Sequence, residues 1–485
     1  MTSESRAQIK FGTDGWRAII AQDFTFANLE RAGQAYCDYL KYELEARSGE
    51  PAAISKRPLV VVGFDNRFLS EDFALRVAEV ISGNQFLAAL FPQAVPTPVV
   101  SWAVKFNGAA GGVVITASHN PPRFNGFKIK APWGGSASPE ITLAVEKLVD
   151  VTRPRLDALD SSVPAEMLEQ SVQSYREQLE SYVDLDRLRS SEATVIIDSM
   201  HGSGAYWVES FLKPGRLTPQ TIRGERDPFF GGVNPEPIDR NLEKLKTRVK
   251  SSSALLGLAT DGDADRLGAV NELGETMTMH EVVPLMLLHL ARSRGMSGGV
   301  IRTFSQSVLT RRIANAHGLP VYDTPIGFKY IADLMLKTDI LIGAEESGGI
   351  GVKGHIPERD GILNCLLFLE SIIQSGKTPS ALVREMHREF GEFYFDRRDN
   401  FCDVSKGQDL VAALAATPPA NIAGFVVSSV ETLDGTKLLL DDESWILFRQ
   451  SGTEPVLRIY SEGTSRAKVA QLLDAGCALA ASDSK

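Results

Sequence analysis

The sequence predicts three similar α/β domains followed by a smaller α+β domain. Three observations carry that expectation. Short apolar runs ending in turns alternate with helical patterns, the alternation restarts twice, and after Ser375-Gly-Lys-Thr-Pro379 it gives way to closely spaced strands. At 485 residues the chain exceeds one ordinary core and suggests three or four domains of about 100–150 residues each.

Residues 58–63 (Pro-Leu-Val-Val-Val-Gly) read as a buried strand ending in a turn, followed by a helical pattern over 70–82. Apolar runs at 86–90 and 113–116 add two more strands, and the polar stretch 151–164 marks a first boundary. The pattern restarts with strands at 194–198 and 254–259. It restarts again with strands at 299–303 and 339–343, with helices at 306–317 and 327–337. Strands at 425–432, 436–440 and 444–448 then form an antiparallel meander closed by a helix over 465–480. The expected domains are 1–157, 158–276, 277–388 and 389–485.

Composition narrows the function. With 43% hydrophobic and 23% charged residues the chain reads as an ordinary globular protein. The longest apolar stretches, such as 282–290, are broken well before a membrane-spanning length of roughly 20 residues. Residues 1–10 are polar and mixed in charge, unlike a secretory signal, so the cytoplasm is the expected location. Cys37, Cys365, Cys402 and Cys477 are far apart and form no CxxC pair, which argues against a zinc site or a disulfide framework. A net charge of −10 argues against a nucleic-acid partner, although a few converging cations can still hold a small phosphate.

Five segments carry candidate chemistry. Thr116-Ala-Ser-His-Asn-Pro121 follows a strand and presents the Ser118 hydroxyl at the carboxyl edge of a sheet, where α/β proteins bind ligands. No Gly-x-Ser-x-Gly elbow surrounds it, so a hydrolase triad is not the natural reading; the alternative is that Ser118 and Asn120 only shape a loop. Asp261-Gly-Asp-Ala-Asp-Arg266 places three carboxylates at alternate positions after a strand. They repel unless a cation neutralises them, and hard oxygen ligands select Mg²⁺ or Ca²⁺. Glu272 falls where an EF-hand would end, but Arg266 replaces the required glycine and strands flank the loop; an exposed acidic turn is the remaining alternative.

Gly343-Ala-Glu-Glu-Ser-Gly-Gly349 also follows a strand, and Glu345 and Ser347 could bond sugar hydroxyls where the loop is more than structural. Arg449-Gln-Ser-Gly-Thr-Glu-Pro455 lies between two strands. Arg449, the Ser451 and Thr453 hydroxyls and the loop's N–H groups would cradle a phosphate, against a plain hairpin loop. Phe11-Gly-Thr-Asp-Gly-Trp-Arg17 brings a cation on a glycine-bracketed loop.

Together and in this order, the five segments resemble the α-D-phosphohexomutase family from Phe11 to Tyr460, nearly the whole chain. The resemblance implies three domains with mixed sheets and a fourth, smaller one around a central cleft. Ser118 would be the phosphorylated serine, with Mg²⁺ between its phosphate and Asp261, Asp263 and Asp265. Arg17 would stand beside the phosphoserine, Lys128 would be an acid/base group, and His119 and Arg266 would share the same site. Glu345 and Ser347 would bind sugar. Arg449, Ser451, Gly452 and Thr453 would hold the phosphate that is not reacting, with Arg302, Lys329 and Arg458 as further cations.

The expected activity is interconversion of glucose 1-phosphate and glucose 6-phosphate, with mannose phosphates as further substrates, by a monomer or small homo-oligomer. Two alternatives stand beside it: a glucose 1,6-bisphosphate synthase fed by a bisphosphate donor, and a catalytically silent phosphosugar-binding regulator. Gly349 and Arg302 depart from the histidine and lysine that many members carry there, which leaves the preferred hexose open. A haloacid-dehalogenase-type phosphatase is disfavoured, because Ala264-Asp265-Arg266 does not supply its nucleophile motif.

Overall fold

The computed structural model describes residues 7–12, 14–48, 57–160, 163–451 and 455–482. The chain divides into two compact units. One comprises Met1–Thr276, Ala332–Lys337 and Gly348–Thr378; the other comprises Met277–Ile331, Thr338–Ser347 and Pro379–Lys485.

The first unit holds two mixed sheets. In the first, the order is Trp16–Ile19, Phe124–Lys130, Gly111–Ile115, Leu59–Phe64 and Leu87–Leu90. Leu59–Phe64 runs parallel to both Gly111–Ile115 and Leu87–Leu90, whereas Phe124–Lys130 is antiparallel to its two neighbours. Val60, Val61 and Val62 are fully buried, as expected of a strand covered on both faces by helices. The second sheet places Leu256–Thr260 parallel to Thr194–Asp198 and antiparallel to Leu267–Val270.

The antiparallel turn-back is common to both sheets. A strand ends in a loop that carries candidate residues (117–123 or 261–266), and the chain returns beside it. Each loop is therefore tied at both ends to sheet hydrogen bonds.

Gly348–Thr378 lies on the same unit. Its helix Gly361–Ser375 is buried over residues 361–372 and packs by the strand Leu256–Thr260, with Cys365 Sγ 3.9 Å from the Ala259 carbonyl. Asp360 caps its start by accepting from Leu363 N at 2.9 Å, and Gly376 ends it in the left-handed region at φ 66°.

In the second unit Gly299–Thr303 runs parallel to Val321–Thr324 and Ile340–Ala344. The C-terminal sheet is antiparallel, in the order Tyr394–Phe401, Val456–Gly463, Trp445–Gln450, Thr436–Leu440, Phe425–Glu431 and Asn421–Ile422. Strand alternation sorts its residues. Ile446, Phe448, Leu457 and Ile459 join the core with Leu410, Leu414, Leu472 and Leu473 of the helices Val404–Ala416 and Arg466–Ser482. Trp445, Arg449, Arg458, Tyr460 and Glu462 alternate with that set and belong to the opposite face.

The fold class matches the expectation of three α/β domains and a smaller α+β one. Among the described residues no helix is long and apolar enough to cross a membrane.

Candidate active site

Ser118 follows the strand Gly111–Ile115 and adopts a left-handed backbone, φ 51°. Such a conformation costs a non-glycine residue about 1–3 kcal/mol and persists only where its surroundings over-determine it. Here the Ser118 N–H donates to Thr116 Oγ1 at 2.8 Å, and its carbonyl accepts from Arg67 Nη2 at 2.5 Å. The residue is fully buried, and its hydroxyl donates to Asp261 Oδ2 at 2.9 Å. His119 Nδ1 is 3.4 Å from the same hydroxyl. Arg17 donates to Asn120 Oδ1 at 2.8 Å, which sets its guanidinium against the serine loop.

Asp261, Asp263 and Asp265 are all fully buried, and one oxygen from each lies within 4.8 Å of the others. The loop bonds itself first: Asp261 Oδ1 accepts from the Asp265 and Arg266 N–H groups at 3.0 and 3.2 Å. Asp263 Oδ2 accepts from Thr97 Oγ1 at 2.7 Å and Lys128 Nζ at 2.9 Å, and Asp265 Oδ2 lies 3.1 Å from Lys128 Nζ. Asp263 Oδ1 and Asp265 Oδ1, both buried, have no hydrogen-bond partner among the described residues. Two orphaned oxygens beside a hydroxyl and a third carboxylate form a hard-oxygen donor set that fits Mg²⁺.

Electrostatics agree with that fit. Burial raises the Asp261 carboxyl well above its usual range, and repulsion from Asp263 and Asp265 adds to the rise. At Asp263 burial acts in the same direction but is outweighed by Lys128, so the group stays ionised. Burial alone would lower Lys128, yet Asp14, Asp263 and Asp265 together lift it above the ordinary range.

Several site residues had no signal, or an unused one, in the sequence. Asp14 sits inside the Phe11–Arg17 motif and pairs with Lys128 at 2.8 Å and Arg359 at 2.6 Å. Arg359 also reaches Asp265 at 2.9 Å. It precedes the helix Gly361–Ser375, and its neighbour Glu358 is paired with Lys130 at 2.6 Å. The run Glu358-Arg359-Asp360 before an apolar helix was the available clue. Gly348 and Gly349 belong here too: Leu267 N donates to the Gly348 carbonyl at 3.0 Å, and Arg266 bridges Gly349. A Cβ on Gly348 would meet the Leu267 carbonyl at 2.3 Å, and its φ of +92° favours glycine as well.

The first unit thus brings together Ser118, His119, Arg17, Lys128, Asp261, Asp263, Asp265 and Arg266, the last with Nε 3.9 Å from Asp261. The second unit carries the remaining candidates. Arg449 faces Arg458 across paired strands and donates to Asp434 Oδ2 at 2.9 Å. It lies on the strand Trp445–Gln450 and not in the loop beyond it, because the hairpin register continues through it. Ser451 is buried, and Gly452 and Thr453 lie outside the described residues. Arg302 is buried and held by Asp323 Oδ1 at 2.6 Å and the Ser307 carbonyl at 2.9 Å. Glu345 is buried at the end of the strand Ile340–Ala344, Ser347 is half-buried, and Lys329 Nζ lies 5.3 Å from the Tyr330 ring centre.

Sequence profiles of phosphoglucomutase/phosphomannomutase match this chain in four successive stretches. They are α/β/α domain I over 8–155, domain II over 173–274, domain III over 279–390 and the C-terminal domain over 403–478. A phosphoglucomutase/phosphomannomutase of Thermococcus kodakarensis is 31% identical, covering 97% of this chain and 98% of the relative. A phosphoglucosamine/phosphogalactosamine mutase of Sulfurisphaera tokodaii is 27% identical, covering 93% and 94%. The crystal structure of a Thermus thermophilus protein, whose name assigns it to the phosphomannomutases, superposes with a TM-score of 0.83. It is 36% identical, covering 98% of this chain and 99% of that one. With all four domains matched in order, the chain belongs to the phosphoglucomutase/phosphomannomutase family of the α-D-phosphohexomutase superfamily.

Proposed function

We propose that this phosphohexomutase is Mg²⁺-dependent and interconverts glucose 1-phosphate and glucose 6-phosphate, and the mannose pair, through phosphorylated Ser118. The observation that carries the reading is the buried Ser118 hydroxyl, 2.9 Å from Asp261 in a triad with two orphaned carboxylate oxygens.

Charge supports it. Asp14, Asp261, Asp263 and Asp265 face Lys128, Arg17, Arg266 and Arg359, so four carboxylates already meet four cations. A divalent ion added alone would leave this buried cluster positive. A phosphoryl group on Ser118, roughly −1.5 to −2 in charge, restores neutrality. Metal and phosphoserine therefore suit the site as a pair. Asp261, Asp263, Asp265 and Ser118 would hold Mg²⁺, which when bound supplies positive charge against the phosphoryl oxygens.

The residues' own work is alignment and proton handling. The free hydroxyl of the hexose monophosphate attacks phosphorus, the sugar O–P bond forms, and the bond to Ser118 Oγ breaks with its electron pair left on Oγ. The sugar hydroxyl's proton passes to His119, while Arg17 and Lys128, held as a cation by its carboxylate partners, offset charge on the transferred group. The bisphosphate then returns its other phosphate to Ser118. Arg449, Arg458 and Ser451, with Gly452 and Thr453, hold the phosphate at rest; Arg302 and Lys329 add positive charge, and Glu345 and Ser347 bind sugar hydroxyls.

Product analysis by ³¹P NMR tests this reading. Enzyme, Mg²⁺, a trace of glucose 1,6-bisphosphate and glucose 1-phosphate should give many glucose 6-phosphate molecules per bisphosphate. EDTA should stop the conversion and added Mg²⁺ restore it, and Ser118→Ala should abolish it. One-for-one consumption of fructose 1,6-bisphosphate with accumulating glucose 1,6-bisphosphate would make the protein a synthase instead. No transfer with glucose, mannose or glucosamine phosphates would leave only a binding protein.

A further inference from the structure

Arg67 is a buried arginine that the chemistry above does not use. Its side chain is fully buried, and its five N–H groups make hydrogen bonds. One goes to Asp65 Oδ2 at 3.1 Å. The others go to main-chain carbonyls of one short span: Ser118 at 2.5 Å, Asn120 at 2.7 Å, Pro121 at 3.0 Å and Phe124 at 3.0 Å.

The span they grip is the serine loop. A buried ion pair kept only for stability could be replaced by apolar groups at little loss, and nothing in such a role directs four donors at one loop. Asp65 extends the grip, because its Oδ2 also accepts from Thr116 Oγ1 at 2.6 Å and Thr116 Oγ1 in turn accepts from Ser118 N at 2.8 Å. Ser118 is thus held through its carbonyl by Arg67 and through its N–H by Thr116. A Cβ on Gly262 would lie 2.4 Å from the Ser118 carbonyl, so the metal loop closes the remaining side.

The same turn reaches the metal loop from behind. Asn66 Nδ2 donates to the His201 and Gly202 carbonyls at 3.0 and 2.9 Å, and Ser203 N donates to the Gly262 carbonyl at 3.0 Å. The Asp65-Asn66-Arg67 turn therefore touches the serine loop directly and backs the metal loop through residues 201–203, and the separation of those loops sets the distance from Ser118 Oγ to Asp261.

We propose that Arg67, with Thr116 as its partner, is a positioning residue for phosphoryl transfer, holding the Ser118 loop rigid against the carboxylate loop. The proposal rests on the reading that Ser118 carries the phosphoryl group. A serine that must be esterified and freed in each cycle gains from a backbone that does not shift between the two states, and misplacement by about 1 Å can cost about 100-fold in rate.

The test compares wild type, Ser118→Ala, Arg67→Lys and Thr116→Val in the glucose 1-phosphate assay, with hydrogen exchange across residues 116–126. Arg67→Lys keeps the charge but loses the fork. It should lower kcat by about 100-fold, leave KM within about threefold, and raise exchange in this segment while the flanking helices stay protected. Thr116→Val, a smaller change, should lower kcat by about tenfold with the same split, and it decides the matter if Arg67→Lys does not fold. Should wild type turn over and Ser118→Ala be inactive while both other folded variants keep kcat within about threefold, the positioning role is wrong and the phosphoserine reading stands. An inactive wild type, or an active Ser118→Ala, overturns both.

Discussion

Lys128 and Lys437 are both buried, at 1% and 4% exposure, yet their surroundings push them in opposite directions. Burial lowers both. Around Lys128 the carboxylates of Asp14, Asp263 and Asp265 lie within 2.8–3.1 Å and reverse the effect, so the amine is held as a cation. Around Lys437 stand the Phe304 carbonyl at 2.9 Å and the rings of Trp445 and Phe304, centred 4.1 and 5.1 Å away. Arg302 repels it further, and the more distant carboxylates of Glu431, Glu462 and Asp323 do not compensate; the amine falls to about 7. Depth alone does not decide what a buried lysine does. The first unit surrounds its lysine with the carboxylates of the candidate site, and the second packs its lysine against a carbonyl and two aromatic rings.

Removing the cation at Lys128 should have the largest effect. Lys128→Met leaves Asp263 and Asp265 facing each other without their shared partner. Breaking a buried pair in this way costs about 3–5 kcal/mol, and turnover should drop by about 1,000-fold as the lost charge stabilisation and the distorted site combine. Initial rates and hydrogen exchange of the strand Leu256–Thr260 measure the two effects. Near-normal turnover in this variant would mean that the carboxylate cluster is balanced without Lys128.

A second contrast concerns two arginines. Arg17 donates to the serine loop, so Arg17→Ala should act mainly on kcat, lowering it by about 100-fold. Arg449 is half-buried on the C-terminal sheet and tied to Asp434. It should contribute binding that is equal in ground and transition states, and Arg449→Ala should raise KM by about tenfold with kcat little changed. Steady-state kinetics with glucose 1-phosphate separates the cases, and the reverse pattern would exchange their assigned roles.

The same contrast explains what the sequence disclosed. Ser118 and the three aspartates were legible because each set lies within a few residues after an apolar strand, where local spacing carries the geometry. Arg67, Thr97 and Arg359 were not, since each reaches the site from another segment across tens to hundreds of positions. Strand-by-strand periodicity recovered Thr194–Asp198 and Gly299–Thr303 but gave no account of Phe124–Lys130, whose mixed Asn-Gly-Phe-Lys pattern hides a buried strand carrying Lys128 and Lys130. Those lysines are buried because carboxylates elsewhere in the chain receive them. Arg302 shows the converse: a cation read as substrate-binding is paired with Asp323 inside its own unit.

The smallest effect is expected at Lys437, and its sign depends on pH. The folded-state pKa of about 7 lies below the ordinary 10.5, so between those values the unfolded chain binds the extra proton and stability rises with pH. Below about pH 7 the full cost of burying the charged amine, or of stripping its proton on folding, is present. Lys437→Met removes that cost, and replacing a buried charge with a packed apolar group gains about 1–4 kcal/mol. It also leaves the Phe304 carbonyl without its donor, a loss of about 1–3 kcal/mol that does not depend on pH. The two terms predict a crossover: the variant should be more stable than wild type near about pH 6 and equal or less stable near about pH 10. Hydrogen exchange of the strands Thr436–Leu440 and Trp445–Gln450 at several pH values reads the difference directly. Lys128 offers no such crossover, because its partners hold it charged throughout this range. A stability difference at Lys437 that stays flat from about pH 6 to about pH 10 would show that the amine remains protonated in the fold, and the opposition between the two lysines would fail.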